Sequence, residues 1–264
     1  MKRIFKLLII LVISMSIAAC SSLRQKLGEP VAKYNDIRAT LVTTQGDINF
    51  YLYPEAAPLT VANFINLAKR GYYDNTKIHR AIENFVVQSG DPTGTGTGSP
   101  GYFIPDENVE WLDFFQQGML AMANAGPGTG GSQYFITLYP AEWLNGRHTI
   151  FGEYVSDPDF NKIKKLELGD VIKTITFSGD VDLFLSLHKD QIDQWNAILD
   201  KEYPNLKKYP IKPISDYGDE AKAYQEELKS IYTRHDEEKT DTEWPIPRFI
   251  RAVENKIKGD SDQE

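Results

Sequence analysis

Residues 118–152 read GMLAMANAGPGTGGSQYFITLYPAEWLNGRHTIFG. Two short apolar runs, Met119–Ala123 and Tyr134–Leu138, flank a stretch rich in Gly, Pro and Asn, and a third run, Thr149–Phe151, follows the break at Asn145-Gly146. Apolar runs this short, bounded by turn-forming residues, read as strands rather than helices. The glycine-rich stretches at 94–101 and 126–131 lack the Gly-Lys-Ser/Thr ending of a phosphate-binding loop, so they are read as turns.

The same pattern extends in both directions. Ile37 to Thr44 and Asp47 to Tyr53 flank Gln45-Gly46, a hairpin signal, and further strand-like runs stand at Phe85–Gln88 and Val171–Phe177. Pro58 to Lys69 reads as a helix: Pro sits at its start, Gly71 follows its end, and Val61, Phe64, Ile65 and Ala68 recur at intervals of three and four. A second helix is expected between Asp157 and Leu166. Many strands with two helices suggest a barrel or a sandwich whose ends the helices close.

Two segments fall outside this pattern. At the N-terminus, Lys2, Arg3 and Lys6 precede an apolar run from Leu7 to Ile17, too short for the ~20 residues of a membrane span but suited to a secretory signal. The run ends in Ile17-Ala18-Ala19-Cys20, with the chain's only cysteine last, and resembles the lipobox of bacterial lipoproteins. We therefore expect residues 1–19 to be a lipoprotein signal, Cys20 to be lipidated, residues 20–35 to be a tether, and the mature protein to stand in the bacterial cell envelope facing the periplasm. Removal of residues 1–19 takes three cations and no acid, so the formal charge moves from −8 to −11, a balance that disfavours nucleic acid as a partner.

At the other end the composition changes at Ser178-Gly179-Asp180, and Lys, Glu and Asp dominate thereafter. Val181, Phe184, Leu185, His188, Ile192, Trp195 and Leu199 share a helical face; so do Ala221, Tyr224, Leu228 and Ile231, and again Ile246, Phe249, Ile250, Val253 and Ile257. Residues 180–264 are thus expected to be a charged helical appendage with an acidic tail. Its helices are expected to pack mainly on one another and to lean on the preceding domain. The 180–258 helices are candidates for binding a client, and a chain ending at Gly179 is expected to fold and to act normally on short peptides.

Two segments carry a family resemblance. Residues 78–91, IHRAIENFVVQSGD, and the run 118–137, continuing through 142–152, resemble the cyclophilins in identity and order over about residues 37–178. The resemblance implies a mainly β domain at 36–179: a closed antiparallel eight-stranded barrel capped by two helices. It implies peptidyl-prolyl cis/trans isomerase activity without a cofactor, on proline-containing unfolded or partly folded polypeptide. It places Arg80, Phe85, Gln88 and His148 at the catalytic centre. Phe85, Val86, Phe135, Leu144 and His148 line the proline pocket, Ala123, Asn124, Ala125 and Gln133 hold the residues before proline, and Trp143 forms the rim. Val86 stands where the family often has Met, and Ser89 replaces a glycine.

The chemistry explains these residue types. The bond before proline resists rotation by ~18–20 kcal/mol, yet its isomers differ by under ~1 kcal/mol. An enzyme for this step has only to hold the twisted amide better than either planar form. Twisting frees a lone pair on the prolyl nitrogen, and a rigid, charged donor such as Arg80 suits it. His79, next to Arg80 on a strand, is expected to point to the opposite face, towards the core. The histidines and the lone cysteine lack metal-ligand spacing, so no metal is expected. A non-catalytic proline-peptide binding module and a scaffolding lipoprotein remain as alternatives.

Overall fold

The computed structural model of the protein describes residues 37–239, with side chains through residue 233. Cys20, the signal and tether segments, and the helical pattern at 246–257 lie outside the described residues. Nine antiparallel strands form one curled sheet: β1 (Arg38–Thr43), β2 (Gly46–Leu52), β3 (Thr76–Lys77), β4 (Arg80–Ile82), β5 (Val86–Ser89), β6 (Met119–Met122), β7 (Tyr134–Thr137), β8 (Ile150–Tyr154) and β9 (Val171–Ser178). Their spatial order is β3-β9-β1-β2-β8-β6-β7-β5-β4.

Alternation decides which side faces in. On β1, Ala39, Leu41 and Thr43 are buried, and on β2, Ile48, Phe50 and Leu52. Helix α1 (Pro58–Lys69) lies in this interior, buried continuously from Thr60 to Ala68. Its Phe64 ring meets Tyr73, Tyr134 and Phe151 at centroid distances of 5.4, 5.4 and 5.1 Å. No side chain of its own caps the first turn of α1. Instead the Glu107 carboxylate accepts from the Leu59 and Thr60 amides at 3.0 and 2.7 Å, tying the segment before β6 to the helix. A second helix, α2 (Asp157–Ile163), follows β8.

The expected eight strands become nine because the stretch Thr76–Ile82 is divided. Its first part pairs with β9 and its second with β5, on either side of Ile78-His79. Ile78 exchanges hydrogen bonds with the 169–170 backbone, and the His79 amide donates to the Gln88 carbonyl at 3.1 Å. The two edges of the sheet thus belong to one short stretch of chain.

Beyond Gly179 the expected helix from Val181 to Leu199 breaks. It forms α3 (Val181–Leu187) and α4 (Lys189–Glu202), with His188 at φ −110° and ψ 13° between them. The His188 ring sits 4.9 Å from Phe184, and burial pulls its pKa down to about 4. Helix α5 (Asp219–Lys239) follows. The expected lean on the preceding domain is visible in the described helices. Val181, Phe184, Leu185, Ile192, Trp195, Leu199, Ala221 and Tyr224 join the same buried cluster as Leu41, Phe64 and Ile175. The reason is that α1 leaves a buried guanidinium and several polar groups at its C-terminal end, and α4 supplies their partners. Arg70 donates to Asn196 at 2.9 Å and pairs with Asp200.

Candidate active site

Register assembles the site. Arg80 of β4 lies opposite Gln88 of β5, Gln88 opposite Phe135 of β7, and Phe135 opposite Ala121 of β6. This row crosses four strands on the outer face. The alternate residues Val87, Ile136 and Leu120 belong to the main core. Val86, Ala121 and Phe135 instead form a second, smaller cluster with Phe114, Met119, Ala141 and Ile150. Phe85, Ala123 and Leu144 lie half-buried against that cluster. One sheet therefore carries two apolar faces, and the smaller forms the floor of the site.

The polar side chains are placed around this floor. The Arg80 guanidinium carbon lies 5.6 Å from the Phe85 ring centroid, and Trp143, 61% exposed, also lies 5.6 Å from that ring. Leu144 and Trp143 come from a one-turn 3-10 helix, Glu142–Leu144. The His148 ring stands edge-on to Phe135 at 5.3 Å and 88°. Its Nδ1 lies 3.0 Å from the Met122 carbonyl, which can only accept, so Nδ1 carries the hydrogen. Asn124 donates through Nδ2 to the Arg147 carbonyl at 2.8 Å, and the Ala123 amide donates to the Gln133 carbonyl at 2.9 Å. Ala125 is exposed beside them, its amide donating to Thr129 Oγ1 at 2.8 Å.

A chain of hydrogen bonds runs from the cation into the neighbouring loop. Arg80 Nη1 donates to Gln88 Oε1 at 3.2 Å, and Gln88 Nε2 donates to Gln133 Oε1 at 2.9 Å. Gln133 Nε2 donates to the Gly96 and Gly98 carbonyls at 2.9 and 3.0 Å. Those carbonyls belong to the turn at 92–101, which wraps round the fully buried Asp91 carboxylate. Asp91 accepts from the amides of Thr93, Thr95, Gly96 and Gly98. Burial opposes its ionisation, but the Thr93 hydroxyl and the Gly98, Thr93 and Gly96 amides outweigh burial and hold its pKa at about 2. A Cβ at Gly98 would lie 1.9 Å from Asp91 Oδ1, so that position requires glycine.

The residues expected from the sequence thus come together on one face, from Arg80 and Phe85 through Gln88 and Gln133 to Phe135, Leu144 and His148. His79 stands apart. Its ring would meet a Cβ at Gly96 at 3.5 Å, and both its nitrogens are buried without a hydrogen-bond partner among the described residues. Val86 is buried in the floor rather than open to the site. Sequence reasoning missed Phe114, which is fully buried and nearly parallel to Phe135 at 6.0 Å and 19°. Its segment, 105–117, has no periodicity. The pair Phe114-Phe115, just before a strand-like run, was the available signal. Among the described residues no group of three or more His, Cys, Asp or Glu is placed to hold a metal.

An apolar floor flanked by one fixed cation and by amide donors suits a neutral, apolar ring with a polar bond beside it. Comparison with known proteins agrees. Residues 38–178 match the family described as "Cyclophilin type peptidyl-prolyl cis-trans isomerase/CLD". The "Probable peptidyl-prolyl cis-trans isomerase A" of Mycobacterium leprae (strain TN) is 46% identical over 157 residues, covering 54% of this chain and 83% of that protein. "Peptidyl-prolyl cis-trans isomerase B" of Bacillus subtilis (strain 168) is 50% identical over 132 residues, 50% of this chain and 91% of its own. A crystal structure of a Cryptosporidium parvum cyclophilin type peptidyl-prolyl cis-trans isomerase in the presence of the dipeptide ala-pro superposes with a TM-score of 0.51 at 34% identity, over 54% of this chain and 99% of that one. The family match ends at residue 178, two residues short of the first appended helix, which begins at Val181. The chain belongs to the cyclophilin-type peptidyl-prolyl cis-trans isomerases and is an enzyme of that type.

Proposed function

We propose that Arg80 drives the isomerisation by donating to the prolyl nitrogen as the amide twists, with the proline ring seated over Phe135 between Phe85, Leu144 and His148. Gln88 and the 123–125 backbone hold the peptide on either side. No bond is made or broken, so the whole effect is tighter binding of the twisted state. The observation that carries this reading is the position of Arg80: its guanidinium lies beside the Phe85 ring and is oriented by Gln88. A cation held in advance needs no reorganisation when the lone pair appears.

The substrates we propose are X-Pro bonds of unfolded or partly folded proteins in the bacterial cell envelope. A lipid on Cys20 would anchor the enzyme there, facing the periplasm, as the run Ile17-Ala18-Ala19-Cys20 suggests. The reaction needs no ATP, which fits that compartment. We also read the curled sheet as a closed barrel of eight strands, counting Thr76–Ile82 as one strand that pairs with β9 and β5 in turn.

The test is proline isomerisation of an Ala-Pro tetrapeptide by the soluble Cys20→Ala protein and by the same protein carrying Arg80→Ala. The expected loss in kcat/KM is more than tenfold, or more than about 1.4 kcal/mol of transition-state stabilisation, with the circular dichroism spectrum unchanged. A folded Arg80→Ala protein with near wild-type activity would overturn the mechanism. Fractionation of cells tests the anchor: Cys20→Ala should leave the membrane fraction, and retention there would argue against lipidation.

A further inference from the structure

Helix α4 touches the same loop that orients the candidate cation. Tyr203, at its C-terminal end, donates its hydroxyl hydrogen to the Ser99 carbonyl at 2.7 Å. Ser99 is one residue beyond Gly98, whose carbonyl holds Gln133. Two further contacts fix this end of the loop. Trp195 stacks on Tyr102 at 5.6 Å with the rings 9° apart, and Tyr203 meets Tyr72 edge-on at 5.1 Å. Gly101, at φ +89°, lies directly under the helix: a Cβ there would stand 3.1 Å from Ile198 and 3.2 Å from Glu202. The loop is therefore clamped twice, by Asp91 at its start and by α4 at its end.

We propose that Tyr203 is a positioning residue for catalysis, acting through Ser99, the 96–98 carbonyls, Gln133 and Gln88 on Arg80. The inference rests on the reading of Arg80 given above. Polarity supports it. Each terminal group has one role only: the Gly96 and Gly98 carbonyls accept, and the Arg80 guanidinium donates. With both ends fixed, each glutamine amide has a single orientation that satisfies its neighbours. Gln133 turns its NH2 to the loop and its oxygen to Gln88, and Gln88 turns its NH2 to Gln133 and its oxygen to Arg80. If the two carbonyls drift, Gln133 is free to flip, Gln88 follows, and the acceptor that aims Arg80 is lost. Of these contacts, those of Tyr203, Trp195, Ile198 and Glu202 lie beyond the segment that matches the family, so this clamp belongs to the appended helices of this chain.

Preorganisation acts on the transition state, so the expected change is in kcat rather than KM. The experiment compares full-length soluble protein (Cys20→Ala) with the added changes Tyr203→Phe, Gln133→Ala, both together, and Arg80→Ala, on one Ala-Pro tetrapeptide. Tyr203→Phe keeps the ring against Tyr72 and removes two hydrogen bonds of the hydroxyl, the short one donated to Ser99 and a long one of 3.5 Å accepted from Tyr72. It should lower kcat about two- to fivefold with KM within about twofold of wild type. In the Gln133→Ala background the same change should have no further effect, since the relay is already broken. The side-chain amide resonances of Gln133 should broaden or shift in Tyr203→Phe. Wild-type kcat together with unchanged Gln133 signals would overturn the proposal, as would a Tyr203→Phe loss that persists in full without Gln133. If Arg80→Ala itself remains active, the reading of the site fails, separately from the clamp.

Discussion

The strands β4 to β7 and the helices α3 to α5 hold their side chains in different ways. In the strands, backbone pairing sets position: once Arg80 lies opposite Gln88 and Gln88 opposite Phe135, the pleat puts all three on one face. In the helices nothing local fixes the docking surface. Trp195 and Tyr203 find their places because Tyr102, Tyr72 and the Arg70 guanidinium are already there. Register should keep the backbone of the site in place when a distant residue changes, and a docked helix should transmit the change to the aim of its side chains. The following outcomes test that contrast.

The largest effect should come from ending the chain at Gly179. This uncovers the apolar face that now receives Phe184, Ile192, Trp195, Leu199 and Tyr224, and it leaves the Arg70 guanidinium without Asn196 and Asp200. The loss of several large buried side chains destabilises by several kcal/mol. At roughly 2–4 °C per kcal/mol for a chain of this size, the melting midpoint should fall by about 10 °C or more. Activity on the tetrapeptide should fall with it, because the loop loses its second clamp. Equal melting and equal tetrapeptide activity would show that the helices are separable, as the sequence alone suggests.

Within the strand region, Phe114→Ala should be the most damaging single change. Phe114 is fully buried and stacks on Phe135, so truncation to alanine should destabilise by roughly 3–5 kcal/mol in urea unfolding. The paired backbones should keep Arg80 and Gln88 in place. The expected kinetic signature in the folded fraction is thus a raised KM for proline peptides with a smaller change in kcat. A stability loss under about 1 kcal/mol would mean that Phe114 does not support the floor.

How far each region is legible follows from the same contrast. The hairpin at Gln45-Gly46, the helix Pro58–Lys69 and most strands have boundaries within a residue or two of the pattern, because period and turn residues are local. The site was legible because its residue types sit in quoted motifs whose order the sheet preserves. β3 and β4 were not marked, since two- and three-residue strands have no period to detect. The break at His188 was hidden because the apolar spacing runs through it unchanged. Phe114 was hidden because its burial depends on Phe135, which is remote in sequence, and the clamp on Ser99 because it depends on tertiary docking alone.

Acid should separate the regions next. Burial of His188 depresses its pKa to about 4, against about 6.5 for a free imidazole. A depressed value means that the unfolded chain takes up the proton first. The contribution to stability is complete above pH 6.5 and is lost as pH falls through 4. It amounts to about 3 kcal/mol. Urea midpoints between pH 7 and 4 should show this slope in the wild type and a flatter one in His188→Leu. Identical slopes in the two proteins would place the acid sensitivity elsewhere.

The smallest expected effect concerns Val86. The family often has Met at this position, and a shorter valine by itself would leave the pocket slightly wider. In the structure Val86 is 1% exposed and packed in the same cluster as Phe114 and Met119. A longer side chain would have to share that cluster with the Phe114 and Phe135 rings. Val86→Met should therefore overpack the floor, at the lower end of the roughly 1–3 kcal/mol such insertions cost, because methionine bends to fit irregular space. Phe114→Leu removes ring volume from the same cluster, so the double variant should recover part of that loss, giving a favourable coupling of about 0.5 kcal/mol or more in a double-mutant cycle. Strict additivity would mean that the two side chains do not compete for one space. In that case the floor is set by strand register alone, and the valine is a substitution the sheet absorbs without a partner.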